Sequence, residues 1–380
     1  MNKLIIVGNG FDIHNKLPTK YTDFLIWYLC NCFESSSKDD GKYRELIEIS
    51  HDRIFQGNNC REITNYKQLA MWLITEFNSG SDGYSPDFIS NDIMYRFYLT
   101  SKSELFLRLM SHQRERNWVD IEMTYYKLLK ECLSLFNTIG KEEEAEKKLK
   151  KINVDFEIIK ANLYEYLKLV SNSANVDYNF DYCAEDPIDS KIIIDKHHLK
   201  NIPEDQYVDG RYIEPKDVTI LNFNYTGLPY KLNRRKYNHI DIHGSVIRRT
   251  NPIIFGFGDE IDADYLEMEK TNNNDFLTYI KSFGYFNNTN YKQLIDLIDS
   301  DSFVVYIWGH SCGLSDRTLL NMIFEHDNCA AIKPYYWQRD DNTDNYLEIT
   351  QNISRHFRNK QKMRNRVVNK EFCSALGSQN

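Results

Sequence analysis

The stretch KLIIVGNGFD, Lys3–Asp12, decides the architecture. Leu4 to Val7 form a continuous apolar run rich in β-branched residues. That pattern suits a strand covered on both faces. Gly8 and Gly10 then allow a tight turn. The spacing of TKYTDFLIWYL, Thr19–Leu29, predicts a helix next, with Thr19 or Thr22 as its N-cap. A strand, a glycine turn and a helix make the first half of a βαβ unit.

One strand cannot bury both of its own faces, so its partners must lie further along the chain. Strand signals return at Val218–Leu221, His239–Ile242, Ile253–Phe255, Phe303–Trp308 and Cys329–Ile332. Helical spacing appears between some of them, notably in RTLLNMIFEH, Arg317–His326. Strands alternating with helices predict an α/β fold: a Rossmann-like, doubly wound, mostly parallel sheet. The middle of the chain has another texture. Ile121, Tyr125, Leu128, Cys132 and Phe136 recur at helical spacing, as do Phe156, Ile159, Leu163, Leu167 and Val170. The charged run KEEEAEKKLKK, Lys141–Lys151, between them reads as a solvated helix face or a helix–helix connection. SSSKDDGK and NSGSDGYSPD read as loops. The expected organisation is therefore a sheet domain from residues 1–30 and 217–340, a large helical insertion over 31–216, and a basic C-terminal helix or tail over 341–380.

The whole chain sets bounds on function. Its 380 residues can bury a sizeable core, and 26 Tyr and 21 Phe mark a globular protein. A net charge of −8 argues against nucleic acid as the main partner. The exception would be the basic RHFRNKQKMRNRVVNK segment, which could dock RNA or a protein but reads first as a solvated helix. The eight cysteines form no C-x-x-C pair, so they read as reduced thiols of a cytoplasmic protein. No run is long enough for a signal-peptide core or a membrane span.

Ligands of open α/β sheets sit beyond the carboxyl ends of the strands. The residues there are Gly8-Asn9-Gly10-Phe11-Asp12, Asn222-Phe223-Asn224-Tyr225-Thr226, His243-Gly244, Gly256-Phe257-Gly258-Asp259 and Gly309-His310-Ser311. Glycines at a strand–helix turn let backbone N–H groups approach a phosphate. The same glycines would serve a plain tight turn. Gly309-His310-Ser311-Cys312-Gly313 also fits the G-x-S-x-G nucleophile elbow. That reading needs an acid and a histidine on later strands, and a single clear strand follows Ser311.

Taken in order, LIIVGNGFDIHNKLPTKYTDFL, NFNYT, HIDIHGS, IIFGFGDE and WGHSCGLSD resemble the AbiH family of bacterial abortive-infection proteins. The series is also similar to the wider sirtuin-like NAD-binding superfamily. Gly8–Asp12 through Leu17-Pro18 resembles the GAG-x-S…IP segment, Asn222–Tyr225 the T-x-N-x-D segment, His243-Gly244 the HG, Phe255-Gly256 the FGE region and Gly309-His310-Ser311 the GTS. The likeness covers the two ends of the chain and, in the middle, Trp118–Glu122 alone. Sirtuins carry a zinc module with C-x-x-C pairs between the HG and FGE segments. The short stretch from His243 to Phe255 has no Cys.

The resemblance implies a zinc-independent enzyme that hydrolyses NAD+ during phage infection, with no metal. It assigns catalysis to Asn224, as the group that orients water, and His243, as general base. Gly8 and Gly10 would cradle the pyrophosphate. His310 and Ser311, with Gly309, would hold phosphate or the adenosine ribose. Asn9, Phe11, Asp12, Asn222, Tyr225 and Asp316 complete the nucleotide-binding set, although Asp12 and Asp316 could simply cap helices. A toxic hydrolase needs restraint, so a homo-oligomer or a gating partner is expected. A nucleotide-sensing module without turnover is the alternative, and a Ser311 hydrolase the less favoured one.

Overall fold

The computed structural model describes residues 1–54, 63–79, 88–90, 93–111, 118–172, 180–229 and 237–376. Strand β1, Asn2–Val7, is buried along its whole length. Strands β2 (Ile47–Ile54), β3 (Phe88–Ser90) and β4 (Ile93–Ser101) pair antiparallel in the order β2-β4-β3. A second small antiparallel sheet joins β5 (Ile188–Asp189), β6 (Tyr207–Val208) and β7 (Tyr212–Ile213) in the order β5-β7-β6. Strands β8 (Val218–Asn222), β9 (Asn238–Asp241), β10 (Phe303–Trp308) and β11 (Cys329–Pro334) complete a five-stranded sheet with β1.

That main sheet is parallel throughout, in the order β11-β10-β1-β8-β9. Counted along its own strands the order is 3-2-1-4-5, read from β9, the first five places of the six-strand doubly wound order. The order reverses between β1 and β10. Val7 is in register with Trp308 on one side and Asn222 on the other. The GNGFD, NFNYT and GHS segments therefore leave the sheet side by side. Leu4, Ile6, Leu221, Val305, Ile307 and Ile332 bury one face of it together with Leu320, Ile323, Phe324, Ile353 and Phe357.

The chain divides into two compact units. One comprises Met1–Thr19, Leu167–Glu267 and Tyr279–Asn380 and holds the main sheet; the other comprises Lys20–Tyr166 and Met268–Thr278. The helices Trp118–Phe136 and Glu142–Asn172, the latter in the second unit as far as Tyr166, bury the expected stripes apart from the half-buried Phe136, with the rings of Tyr125 and Phe156 4.2 Å apart. Here too Phe33 packs edge-on to Phe97 of β4 at 5.0 Å.

Several expectations need correction. The middle of the chain is not purely helical, because β2–β4 and β5–β7 lie within it. Its aromatic and β-branched alternation, as in IMYRFYLTS, pairs as antiparallel ladder. Ile253–Phe255 is buried but is no strand. Its polar groups are met singly, with Ile254 N–H on the His243 carbonyl at 2.8 Å and Tyr225 Oη on the Ile254 carbonyl at 3.3 Å. The first helix begins at once, at Asn9, and ends at His14. The next runs Tyr21–Lys38 and is capped by Lys20, whose N–H donates to Asp23 Oδ2 at 3.1 Å, rather than by Thr19 or Thr22. It absorbs Ser35–Lys38 of the expected loop. Residues 80–87 of the other expected loop lie outside the described residues, as do the side chains of residues 118–120.

The basic C-terminal segment is not a solvated tail. It forms the helices Tyr346–Arg355 and Lys360–Arg366, and Ile349, Ile353 and Phe357 enter the main core. The buried Arg366 donates to the Phe324 carbonyl at 2.6 Å, and Lys362 and Lys370 pair with Asp327 and Asp344. Among the described residues no helix is long and apolar enough to cross a membrane.

Candidate functional site at the carboxyl ends of the main sheet

The site starts from a close approach of two loops. A Cβ on Gly8 would lie 2.5 Å from His310 Cα, and a Cβ on Gly10 would lie 2.8 Å from the Gly309 carbonyl oxygen. Gly8 N–H donates to the Trp308 carbonyl at 3.1 Å, and Gly10 N–H to that of Gly309 at 2.8 Å. Gly309 itself has φ +70°, a conformation that favours glycine. The glycines thus bring the ends of β1 and β10 together, and the N–H groups of Gly8 and Gly10 are already engaged. Asn9 donates its side-chain amide to the Thr19 carbonyl at 3.0 Å, and the ring of Phe11 meets Trp308 edge-on at 6.5 Å.

Asp12 lies buried on the helix that begins at Asn9. Thr226 Oγ1 donates to its Oδ2 at 2.7 Å, while Oδ1 makes no hydrogen bond of good geometry among the described residues. Burial raises its pKa to about 7, against the smaller opposing pull of Thr226 and Asn224. Asn222, at the end of β8, is a hinge of contacts. Its amide donates to Asp241 Oδ1 at 2.9 Å, and its Oδ1 accepts the Asn224 N–H at 3.0 Å. Asn224 in turn donates its side-chain amide to the Gly8 carbonyl at 3.0 Å, tying β8 to β1.

A charged cluster sits beside this polar group. Asp316 Oδ1 is 2.6 Å from Lys281 Nζ and 3.3 Å from His243 Nε2, and Oδ2 is 3.5 Å from His310 Nε2. All four side chains are buried. Tyr285 Oη also reaches His243 Nε2, at 3.3 Å. The ring of Phe223 stands edge-on to both imidazoles, 5.0 Å from His243 and 4.4 Å from His310, and Tyr225 stacks on His243 at 6.2 Å. Burial alone would raise the Asp316 pKa. Lys281, His243 and His310 outweigh it and hold the carboxyl well below the ordinary carboxylate range. Burial and then the Lys281 charge push His243 down to about 4, with Asp316 opposing. His243 is therefore a neutral imidazole at neutral pH, able to accept a proton.

Of the residues expected at a site, His243, His310 and Asp316 meet directly. Asn222, Asn224, Gly8 and Asp12 form the neighbouring linked group. Asp316 precedes the helix Arg317–Glu325, yet its side chain makes no capping hydrogen bond. Ser311 stands outside both groups. Its carbonyl accepts from Asn352 at 2.9 Å, and no imidazole reaches its hydroxyl among the described residues. The left-handed residues of this loop are Gly309 and Cys312 (φ +52°), not Ser311, so the loop lacks the backbone of a nucleophile elbow. Lys281 and Tyr285 were not legible from the sequence. They lie in a segment without motif, where a lysine reads as a surface residue.

A parallel five-stranded sheet with buried histidines and a paired carboxylate at its carboxyl end defines an α/β protein. The family model for bacteriophage abortive infection AbiH matches residues 4–337. The chain belongs to the AbiH family, which gives it a role in phage abortive infection. No curated protein matches the chain, and no solved structure does.

Proposed function

We propose that this chain is an abortive-infection effector that hydrolyses NAD+ in the cytoplasm to nicotinamide and ADP-ribose, through a sirtuin-like arrangement of its main sheet. The observation that carries the proposal is the buried, neutral His243, ordered against Asp316 beside the point where the strand order reverses. Cleavage of the nicotinamide–ribose bond sends the bonding pair to the nicotinamide nitrogen, which leaves neutral. The ribose becomes a sugar cation, as in glycoside hydrolysis. Water adds to that carbon and loses a proton to His243. Asn224, with its amide nitrogen fixed on Gly8, offers Oδ1 to orient that water. Asp12 Oδ1 is an acceptor for a ribose hydroxyl. The Ser311 hydroxyl and His310 contact phosphate or the adenosine ribose. Gly8 and Gly10 contribute by bringing the loops together rather than by their own N–H groups. A homo-oligomer or a gating partner restrains turnover in uninfected cells.

The test is NAD+ and product analysis by mass spectrometry, in purified protein and in infected cells, beside His243→Ala. Nicotinamide and ADP-ribose that disappear with His243→Ala support the hydrolase. A second reading, nucleotide sensing without turnover, is favoured by the low basicity of His243, which burial pushes down to about 4. Recovery of intact nucleotide bound to the protein, with no turnover in either setting, would support it instead.

A further inference from the structure

We propose that Asp316, held by Lys281, is a positioning residue for His243: its carboxylate takes the Nε2 proton and leaves Nδ1 as the nitrogen that accepts the proton of the attacking water. The proposal rests on the hydrolase reading above and names which face of the imidazole works. His243 Nε2 has two polar neighbours, Asp316 Oδ1 and Tyr285 Oη, both at 3.3 Å. A tyrosine hydroxyl can donate or accept, so it cannot choose a tautomer alone. An ionised carboxylate 3.3 Å away can only accept, so it favours a proton on Nε2. Nδ1 has no hydrogen bond among the described residues and keeps its lone pair.

The carboxylate is reserved for this task by its surroundings. An Asp before a helix normally accepts from the N–H groups of the first turn. Here the Thr318 N–H goes to the Gly258 carbonyl at 3.0 Å instead, and Asp316 makes no cap bond. Three side-chain nitrogens approach it. Lys281 gives the closest, at 2.6 Å. His310 is the third, and its tautomer is fixed independently: Cys312 N–H donates to Nδ1 at 3.0 Å, which leaves the proton on Nε2, facing Asp316 Oδ2. The charges then balance inside the protein. Lys281 and Asp316 cancel, and His243 is neutral. The groups facing His243 are Asp316, Lys281, His310 and Tyr285, with Phe223 and Tyr225 as the apolar walls. The neutral ring keeps the Nδ1 lone pair, which a general base needs before it acts.

The experiment is long-range 1H–15N correlation NMR on the full chain labelled with 15N-histidine, at pH 7 and without substrate. His243 is identified by the signals lost in His243→Gln. The expected result is a neutral His243 in the Nε2–H form. In Asp316→Asn the amide can offer its own N–H to the ring, so the Nδ1–H form should appear. In Tyr285→Phe the Nε2–H form should persist. An Nδ1–H form or an imidazolium in the natural protein would overturn the proposal. So would loss of the Nε2–H form in Tyr285→Phe, or its full retention in folded Asp316→Asn. Because no substrate is present, failure of this positioning and failure of NAD+ turnover give separate results.

Discussion

Lys281 Nζ lies 2.6 Å from Asp316 Oδ1, both side chains buried; Lys281 opens the short helix Lys281–Gly284 and Asp316 precedes the helix Arg317–Glu325. Removing one partner strands the other charge in the interior. Lys281→Met should cost roughly 3–5 kcal/mol in denaturant unfolding. The double variant Lys281→Met with Asp316→Leu should cost less than the single one, since no charge is then left unpaired. A double variant weaker than Lys281→Met would show that the pair is not what makes the single change costly.

Gly8→Ala places a methyl 2.5 Å from His310 Cα and 2.8 Å from its Cβ and Cδ2. The nearest atom is backbone-linked, so the β10 loop itself must give way. A loss of about 1–3 kcal/mol is expected, read as a lower denaturation midpoint. Unchanged stability would mean that the two loops do not approach as described.

Stability should respond to pH in a definite way. His243 and His356 are both pushed to about 4, chiefly by burial. Between about pH 4 and 6.5 the unfolded chain binds protons there that the folded chain refuses, so each histidine makes stability fall as pH falls through that window. Asp12, raised to about 7 by burial, acts the other way: the folded chain holds its proton, and stability falls as pH rises from about 4 to 7. His356→Gln should flatten the loss on acidification, and Asp12→Asn should steepen it. Denaturant midpoints measured across pH 4–7.5 would check both, and parallel curves for all three proteins would refute the assignment.

The C-terminal helices are part of the folded core. Ile353 is fully buried there, beside Phe357 and Phe324. Ile353→Ala should cost about 2–5 kcal/mol. If residues 341–376 were a separable tail, the same change would leave the unfolding curve unmoved.

The legible parts of this protein were those with local signatures. LIIV and FVVYIW are continuous apolar runs, which central parallel strands require, and β10 fell on Phe303–Trp308 as read. That His243, His310, Asn224 and Asp12 gather near the strand ends was legible, because each follows a strand signal in the sequence. Ile253–Phe255 misled because a buried apolar run looks the same whether its backbone is met by a ladder or by isolated hydrogen bonds. The C-terminal segment misled because the charges of RHFRNKQKMRNR hide the inward positions Phe357, Met363 and Val367. Lys281 had no signature at all, since its role depends on a carboxylate that meets it through the fold alone. Glycines at 8, 10 and 309 were found, but composition could not tell a phosphate cradle from a close approach of two loops.

The central claim is that His243 takes a proton during cleavage of NAD+. The most direct measurement is mass spectrometry of nicotinamide and ADP-ribose formed from NAD+, by the natural protein and by His243→Ala, in purified form and in phage-infected cells. The account predicts both products with the natural protein in at least one setting and their loss with a folded His243→Ala. Equal release by the two proteins, or none in either setting despite a demonstrated phage response, would contradict it.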